Sequence, residues 1–325
     1  MNIISIHHSP ERKLAAAINI FEHEFVYPLG SDRHFRISHG DDLTSNAWYF
    51  FCTLGNPAVY LVAERHGRIL GSIGAALRHI VQPNGTSTVG LYLGDLKVSA
   101  GERGGLVLYR LFHALKTWSL IHAPCGVLTA YSIVMDGTSI TPESYSGRLG
   151  FPAFKALGTS TIVWLHTTGE VAPRAAVQSV SPLLGQAAFL TFAQGLYHLP
   201  QVTANGRSRL SPRWLMSSDS QACGCLEDTL LCKRLWTTAD EEMRSAHLSH
   251  VAFSDIHSGL ALVDVALAHA AQAGYPMLFL TLPTAMPDDW RRHFGNRLRS
   301  VSTATIFGTA DTLPPGPWLI NTAEI

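Results

Sequence analysis

A chain of 325 residues, 46% of them hydrophobic, is long enough for two domains with buried cores. Its 24 Lys and Arg balance 24 Asp and Glu, so net charge gives no argument for nucleic acid or for an anionic membrane surface as partner. No apolar run approaches the ~20 residues of a bilayer span, the start MNIISIHHSPERK lacks a secretory stretch, and five scattered cysteines suit reduced thiols, so the cytoplasm is expected.

Residues 11–25 place Leu14, Ile18, Phe21 and Phe25 at helical spacing and read as an amphipathic helix. A polar loop, Gly30–Thr44, carries His34 and His39. Tyr60–Ala63 reads as a strand, Glu64–Gly67 as a turn and Arg68–Ala76 as the returning strand of a hairpin. After the turn Gln82–Gly85, another strand runs over Val89–Val98. A glycine-bearing turn, Gly101–Gly105, opens a helix whose Leu108, Leu111, Leu115 and Trp118 share one face. Val127–Tyr131 reads as a short strand and Pro142–Leu149 as a short helix, with closing strands near Phe154 and over Ser160–His166.

Thr167–Gly185 is rich in Pro, Ser, Thr, Gly and small residues and reads as a linker or crossover. The order of elements then repeats loosely. Glu227-Asp228 suggests a hairpin tip, His247–Phe253 a strand, Gly259–Ala273 a helix and Met277–Leu282 a strand. Pro287–Phe294 suggests a short helix and Thr303–Gly308 a last strand. The expected organisation is a domain over 1–170, a linker over 171–185 and a second domain over 186–325.

The segment Tyr92–Leu106 carries the most chemistry. A strand that turns through glycines into a helix exposes several backbone N–H groups at the helix N-terminus. Those donors and the helix dipole favour a pyrophosphate, which glycine admits close to the backbone. Arg103 adds a charged donor.

On these residues the chain resembles the GNAT superfamily of N-acetyltransferases. Val98, Arg103, Gly104 and the following helix match the family's turn, whereas Gly101, Leu106 and Leu108 depart from it. Gly94-Asp95-Leu96-Lys97-Val98 is similar to the family's acidic strand, and Tyr145 with Gly150-Phe151 to the end of its fourth helix. The resemblance covers roughly residues 55–166. In the second half Phe253, His250, Ser258 and Gly259 take the places of Val98, Asp95, Arg103 and Gly104, so that half is expected to be a degenerate copy.

The resemblance implies an α/β (α+β) fold of two GNAT-like domains, each a mixed, mostly antiparallel central sheet flanked by helices. It implies transfer of an acyl group from acetyl-CoA or another acyl-CoA, as co-substrate, to a small-molecule amine by direct attack. Leu96, Lys97, Val98, Arg103, Gly104, Gly105, Leu106 and Val107 would then contact the coenzyme, with the Val98 N–H facing the developing oxyanion. Asp95 would accept the amine's proton if burial raises its pKa, Tyr145 would return one to the thiolate, and His250 is a third catalytic candidate. The alternatives are an acyl carrier protein as donor, malonyl decarboxylation, and a thioester-binding module without catalysis. A homodimer is compatible with each.

Bland readings stand beside these. On these, Asp95 only caps a loop or pairs with Lys97 or Arg103, and Tyr145 is only packing. Leu106 and Leu108 filling the channel would favour a binding role. His7, His8, His34 and His39 suit either an acceptor pocket or loop positions. Cys223, Cys225 and Cys232 lack an evident fourth ligand, so no metal is expected.

Overall fold

The structure is a computed structural model of the chain and describes every residue except 29–33, 41–45, 124–128, 149–150, 168–176 and 201–205. In chain order come β1 (Asn2–Ile6), α1 (Arg12–Glu22), β2 (Tyr27–Pro28), β3 (His34–Ser38), α2 (Ala47–Leu54), β4 (Ala58–Arg65), β5 (Arg68–Val81) and β6 (Ser87–Val98). They are followed by α3 (Leu106–His122), β7 (Ala130–Met135), α4 (Pro142–Tyr145), β8 (Lys155–His166), β9 (Val177–Val180) and α5 (Pro182–Phe192). The remainder is β10 (Arg213–Ser217), β11 (Ala222–Glu227), β12 (Arg234–Thr237), β13 (Ser245–Phe253), α6 (Ile256–Gln272), β14 (Met277–Leu282), α7 (Asp288–Phe294) and β15 (Leu298–Gly308).

Twelve strands form one sheet in the order β1-β4-β5-β6-β7-β15-β8-β14-β13-β11-β10-β9. The order is palindromic by halves, except that the last strand of each half has crossed over. Thus β15 lies between β7 and β8, and β8 lies between β15 and β14. The exchange welds the halves by main-chain pairing from Leu298 opposite Leu165 to Gly308 opposite Lys155. A smaller sheet, β12-β3-β2, brings a strand of the second half against the first.

Both faces of the large sheet are covered. On one, Val107, Leu111, Leu115 and Trp118 of α3 pack on Leu61, Leu70 and Leu91. This is the face that the apolar spacing predicts, although Leu108 is only half-buried. On the other, Ile18 and Phe21 of α1 and Phe50 and Phe51 of α2 pack on Tyr60, Val62 and Tyr92. Such alternate strand burial follows from side chains pointing to opposite faces at successive positions.

Two expectations give way here. Residues 177–185 are not a linker: β9 pairs with β10, and the Ser181 hydroxyl caps α5 by accepting from the Leu184 N–H at 3.3 Å. The Ser-Pro pair that reads as a loop is a helix start, where proline's missing N–H costs nothing. The 168–176 part of that stretch lies outside the described residues. Glu227 and Asp228 are not an exposed hairpin tip either. Both are buried, Glu227 paired with Arg207 at 2.6 Å and Asp228 accepting the N–H groups of Arg209, Leu210 and Leu230.

Candidate active site

The cleft begins where two strands part. β6 and β7 run parallel and pair only at Leu91 with Ala130 and Tyr92 with Tyr131. Beyond Tyr92 the strands diverge, and Gly94, Asp95 and Leu96 face Ser132, Ile133 and Val134 across a cavity of about 1070 Å³, open mouth included. The stacked rings of Phe112, Phe151 and Phe154 line one end, with Phe112 and Phe151 only 4.1 Å apart. Phe35, Phe50 and Phe51 line the other.

A bulge sets the chemistry of this wall. Gly94 lies opposite Gly74 and Lys97 opposite Ser72, so Asp95 and Leu96 together face the single residue Ile73. Asp95 takes φ +54 to achieve this. Without the extra residue the Lys97 side chain would point toward α3. With it, Lys97 turns toward α1 and Leu96 toward α3. Phe51 covers the floor, and a Cβ on Gly74 would sit 1.9 Å from its ring.

Asp95 ends in a buried ion cluster. Its carboxylate lies 3.2 Å from His39 Nδ1 and 3.3 Å from Lys97 Nζ, and His39 Nδ1 lies 2.6 Å from Glu22 Oε1. Burial alone would push the Asp95 carboxyl up, but His39, Lys97 and Lys233 pull it below its ordinary value. The rise that a general base requires is therefore absent, and the geometry is that of an ion-paired carboxylate. Lys97 is likewise turned inward, 3% exposed, so its side chain cannot reach a coenzyme. Glu22, His39 and Asp95 each offer a ligand atom within 4.8 Å of the others, though Lys97 already supplies a cation there. Among the described residues that is the one such group, and Cys223, Cys225 and Cys232 do not join it.

The turn after β6 leaves a helix mouth open. Val98 pairs with Gly71, and its carbonyl accepts from Arg103 Nε at 3.4 Å. Gly104 adopts φ +83 with no atom within 4 Å of the place a Cβ would take. Gly105 stands at the N-cap of α3, and no side chain caps that helix. Leu106 is 63% exposed and does not fill the channel, and Val107 is buried against the sheet, so only its backbone is available. Arg103 is exposed beside the mouth.

The second half differs at each of these points. α6 is capped by Asp255, which accepts from the Ser258 N–H at 2.7 Å, and Asp219 accepts from the Ser258 hydroxyl at 2.7 Å. Hydrogen bonds from Ser258, with Ser217 at Asp219, hold both carboxyls below their ordinary values. Two carboxylates thus occupy the place that an anion would need. The gap beside β13 is filled by the chain itself: Thr281 donates to the Ile320 carbonyl, and Thr322 bonds His247 and Ser249 at 3.0 Å. His250 is not in the cleft of Asp95. It is packed between Phe189 and Trp214, and burial lowers it to about 3.

Tyr145 does line the cleft, stacked on Phe112. Burial pushes its hydroxyl up, so it can donate a hydrogen bond to a sulfur but gives up its proton reluctantly. His7, His8 and His34 are exposed and take no part.

Lys233 is the residue that sequence reasoning missed. It follows Cys232 on the second half, yet lines the cleft opposite Asp95. Its ammonium donates to the Ala323 carbonyl at 3.3 Å and to that of Ile325, and sits 5.2 Å from the Phe50 ring. Burial lowers it to about 8. No local pattern marks it, because tertiary folding alone carries it across.

A splayed parallel strand pair, a bulge on its first strand and a glycine turn into an open helix mouth make this the GNAT fold, in two GNAT-like halves. No protein-family model matches the sequence, and no curated relative does. The chain is similar in structure to N-myristoyltransferase of Saccharomyces cerevisiae, solved with bound myristoyl-CoA. The TM-score is 0.62 at 9% identity, over 95% of this chain and 82% of that one. A second structure of that enzyme gives 0.60 at 10% identity, over 94% and 78%. A GCN5-related N-acetyltransferase from Anabaena variabilis gives 0.49 at 12% identity, over 94% and 72%.

Proposed function

We propose that this chain moves an acyl group from an acyl-CoA thioester to an amine of a small-molecule acceptor by direct attack. The single observation that carries the reading is the uncapped mouth of α3 beside the opening between β6 and β7. The backbone N–H groups of Arg103, Gly104, Leu106 and Val107 suit the pyrophosphate, that of Gly105 being held by the Glu102 carbonyl at 3.2 Å, and the Phe112, Phe151 and Phe154 wall suits the pantetheine arm. With two carboxylates at α6, the second half serves as a degenerate partner that shapes the acceptor side. The second half then begins by β9, ahead of the 186 expected from the sequence, and exchanges a strand with the first. No described helix is long and apolar enough to cross a membrane, and a cytoplasmic location belongs to the same proposal.

The chemistry follows the charges. Amine attack forms a C–N bond, breaks the C–S bond and sends its electron pair to the thiolate. The bulge takes Leu96 out of the β5 register and onto the cleft wall, so its N–H replaces Val98 as the oxyanion donor. The proton leaving nitrogen goes to Lys233 in its neutral amine form, since its pKa near 8 lies closest to operating pH among the cleft's titrating side chains. Asp95 stays ionised and fixes the bulge through Lys97 and His39. Tyr145 steadies the departing sulfur by a hydrogen bond, and solvent protonates it.

Calorimetry with coenzyme A and acyl-CoA esters tests the reading. Binding that Arg103→Ala weakens supports it, because a phosphate contact is charge-assisted. Absence of binding by every coenzyme A species tried rejects it.

A further inference from the structure

We propose that a second cavity, walled by β8, β12, β14 and β15, holds the acceptor's body, and that this acceptor is a monoamine of the arylamine class, flat, apolar and uncharged at neutral pH. The proposal rests on the acyl-transfer reading above and deepens it.

The cavity measures about 580 Å³, mouth included, and shares Phe35, Met135, Lys233 and Ile325 with the thioester cleft. A molecule lying in it would place one end at Lys233, where the two spaces meet. Its walls are aromatic. Trp164 and Phe279 meet edge to face at 6.2 Å, and Phe279 meets the His247 ring at 5.1 Å. The polar edges of these rings are already used: Trp164 Nε1 donates to the Ser245 hydroxyl at 3.1 Å, and His247 Nδ1 bonds Thr322 Oγ1 at 3.0 Å. Between these bonded edges the walls offer ring face, which suits another flat group, and the Ser300 and Ser302 hydroxyls stand on the β15 side.

Charge narrows the class. The ionisable side chains lining this cavity, among the described residues, are Lys233 and His247, and neither is a carboxylate. Burial, with Arg207 and Lys233 nearby, lowers His247 to about 3, so it is neutral. A polyamine or an aminosugar would bring several ammonium groups into a space whose lining side chains include no carboxylate. Each would be desolvated with no carboxylate side chain in the cavity wall to pair it. A neutral arylamine meets no such cost. Its nitrogen becomes acidic only after attack, when the neutral amine form of Lys233 takes the proton.

Acetyl-CoA and octanoyl-CoA binding is measured first by calorimetry. Thiol release is then followed with aniline, benzylamine, spermidine and kanamycin. Aniline should give a kcat/KM at least tenfold above spermidine or kanamycin. Ser302→Phe, which projects a ring into the cavity from β15, should raise the KM for aniline tenfold or more while acyl-CoA affinity stays within twofold. Ser300→Phe on the same strand carries the test if Ser302→Phe does not fold. Thioester binding with spermidine or kanamycin as the best acceptor overturns this proposal alone. So does an unchanged KM in both variants, a matching loss of acyl-CoA affinity, or no acceleration by aniline. Failure of the unaltered protein to bind either thioester removes the acyl-transfer reading itself, and this proposal with it.

Discussion

His250 in the second half occupies the place that Asp95 holds in the first. Each sits in a register shift on the fourth strand of its half, Asp95 with φ +54 and His250 with φ +56. The same backbone device serves opposite ends. In the first half it turns a carboxylate into a buried ion cluster beside an open cleft. In the second it turns a neutral imidazole, lowered to about 3 by burial, into a packed aromatic pocket.

Asp95→Asn leaves Lys97 and His39 buried beside an uncharged amide. Stability should fall by about 3–5 kcal/mol, the cost of an unpaired buried charge. The double variant Asp95→Asn, Lys97→Met should recover part of that. Urea unfolding at neutral pH decides it, and additive losses would contradict the buried pairing.

Lys233 predicts a pH signature. Its ammonium is disfavoured in the fold, so between about 8 and the ordinary 10.5 the unfolded chain holds more protons. Stability therefore gains from this group as pH rises through that window, at up to ~1.4 kcal/mol per pH unit, and below pH 8 the full burden of the buried charge is present. Lys233→Met should lose this slope in denaturant titrations from pH 7.5 to 9.5. In steady-state acyl-transfer assays the unaltered protein should speed up as pH rises through about 8, and the variant should not.

Gly105→Asp would copy onto α3 the cap that Asp255 gives α6. The N-cap backbone, φ −89 and ψ −165, suits any residue, and a Cβ there would lie 3.2 Å from the Glu102 carbonyl oxygen, which must yield by a few tenths of an ångström. A capping carboxylate should raise stability by ~1 kcal/mol and weaken coenzyme A binding at least tenfold. A thermal melt with and without ligand reads both effects at once. Unaltered affinity would place the phosphates elsewhere.

Tyr145→Phe tests the sulfur contact. Because burial holds the phenol protonated, its loss should cost less than tenfold in kcat and leave KM for the acceptor unchanged. A drop of a thousandfold would restore Tyr145 as an obligatory acid.

Gly74→Ala should disturb the floor of the cleft. The new methyl would lie 1.9 Å from the Phe51 ring, a clash worth ~1–3 kcal/mol. Phe51→Ala in the same chain should relieve it, as unfolding midpoints of the single and double variants would show.

The strand-turn-helix from Val89 to Trp118 was legible because its signals are local: alternating strand residues, glycines in a row, then an apolar stripe at helical spacing. The frame that set His250 beside Asp95 and Phe253 beside Val98 is also the frame of the two bulges. Lys97 was misplaced, since strand alternation carries no sign of an inserted residue that reverses it. Ser181-Pro182 was read as a linker because helix caps and loops draw on the same residues.

What the sequence determined by itself is what short-range chemistry writes into neighbouring residues: the β4-β5 hairpin, the glycine turn before α3, and the echo of strand, helix and strand in β13, α6 and β14. Only the tertiary structure decided that Glu22, His39, Asp95 and Lys97 share one buried cluster, that Lys233 crosses from the far half into the cleft, and that β8 and β15 trade places. Those contacts join residues far apart in the chain. Their energies come from burial and charge pairing, which exist only once the sheet has closed around them.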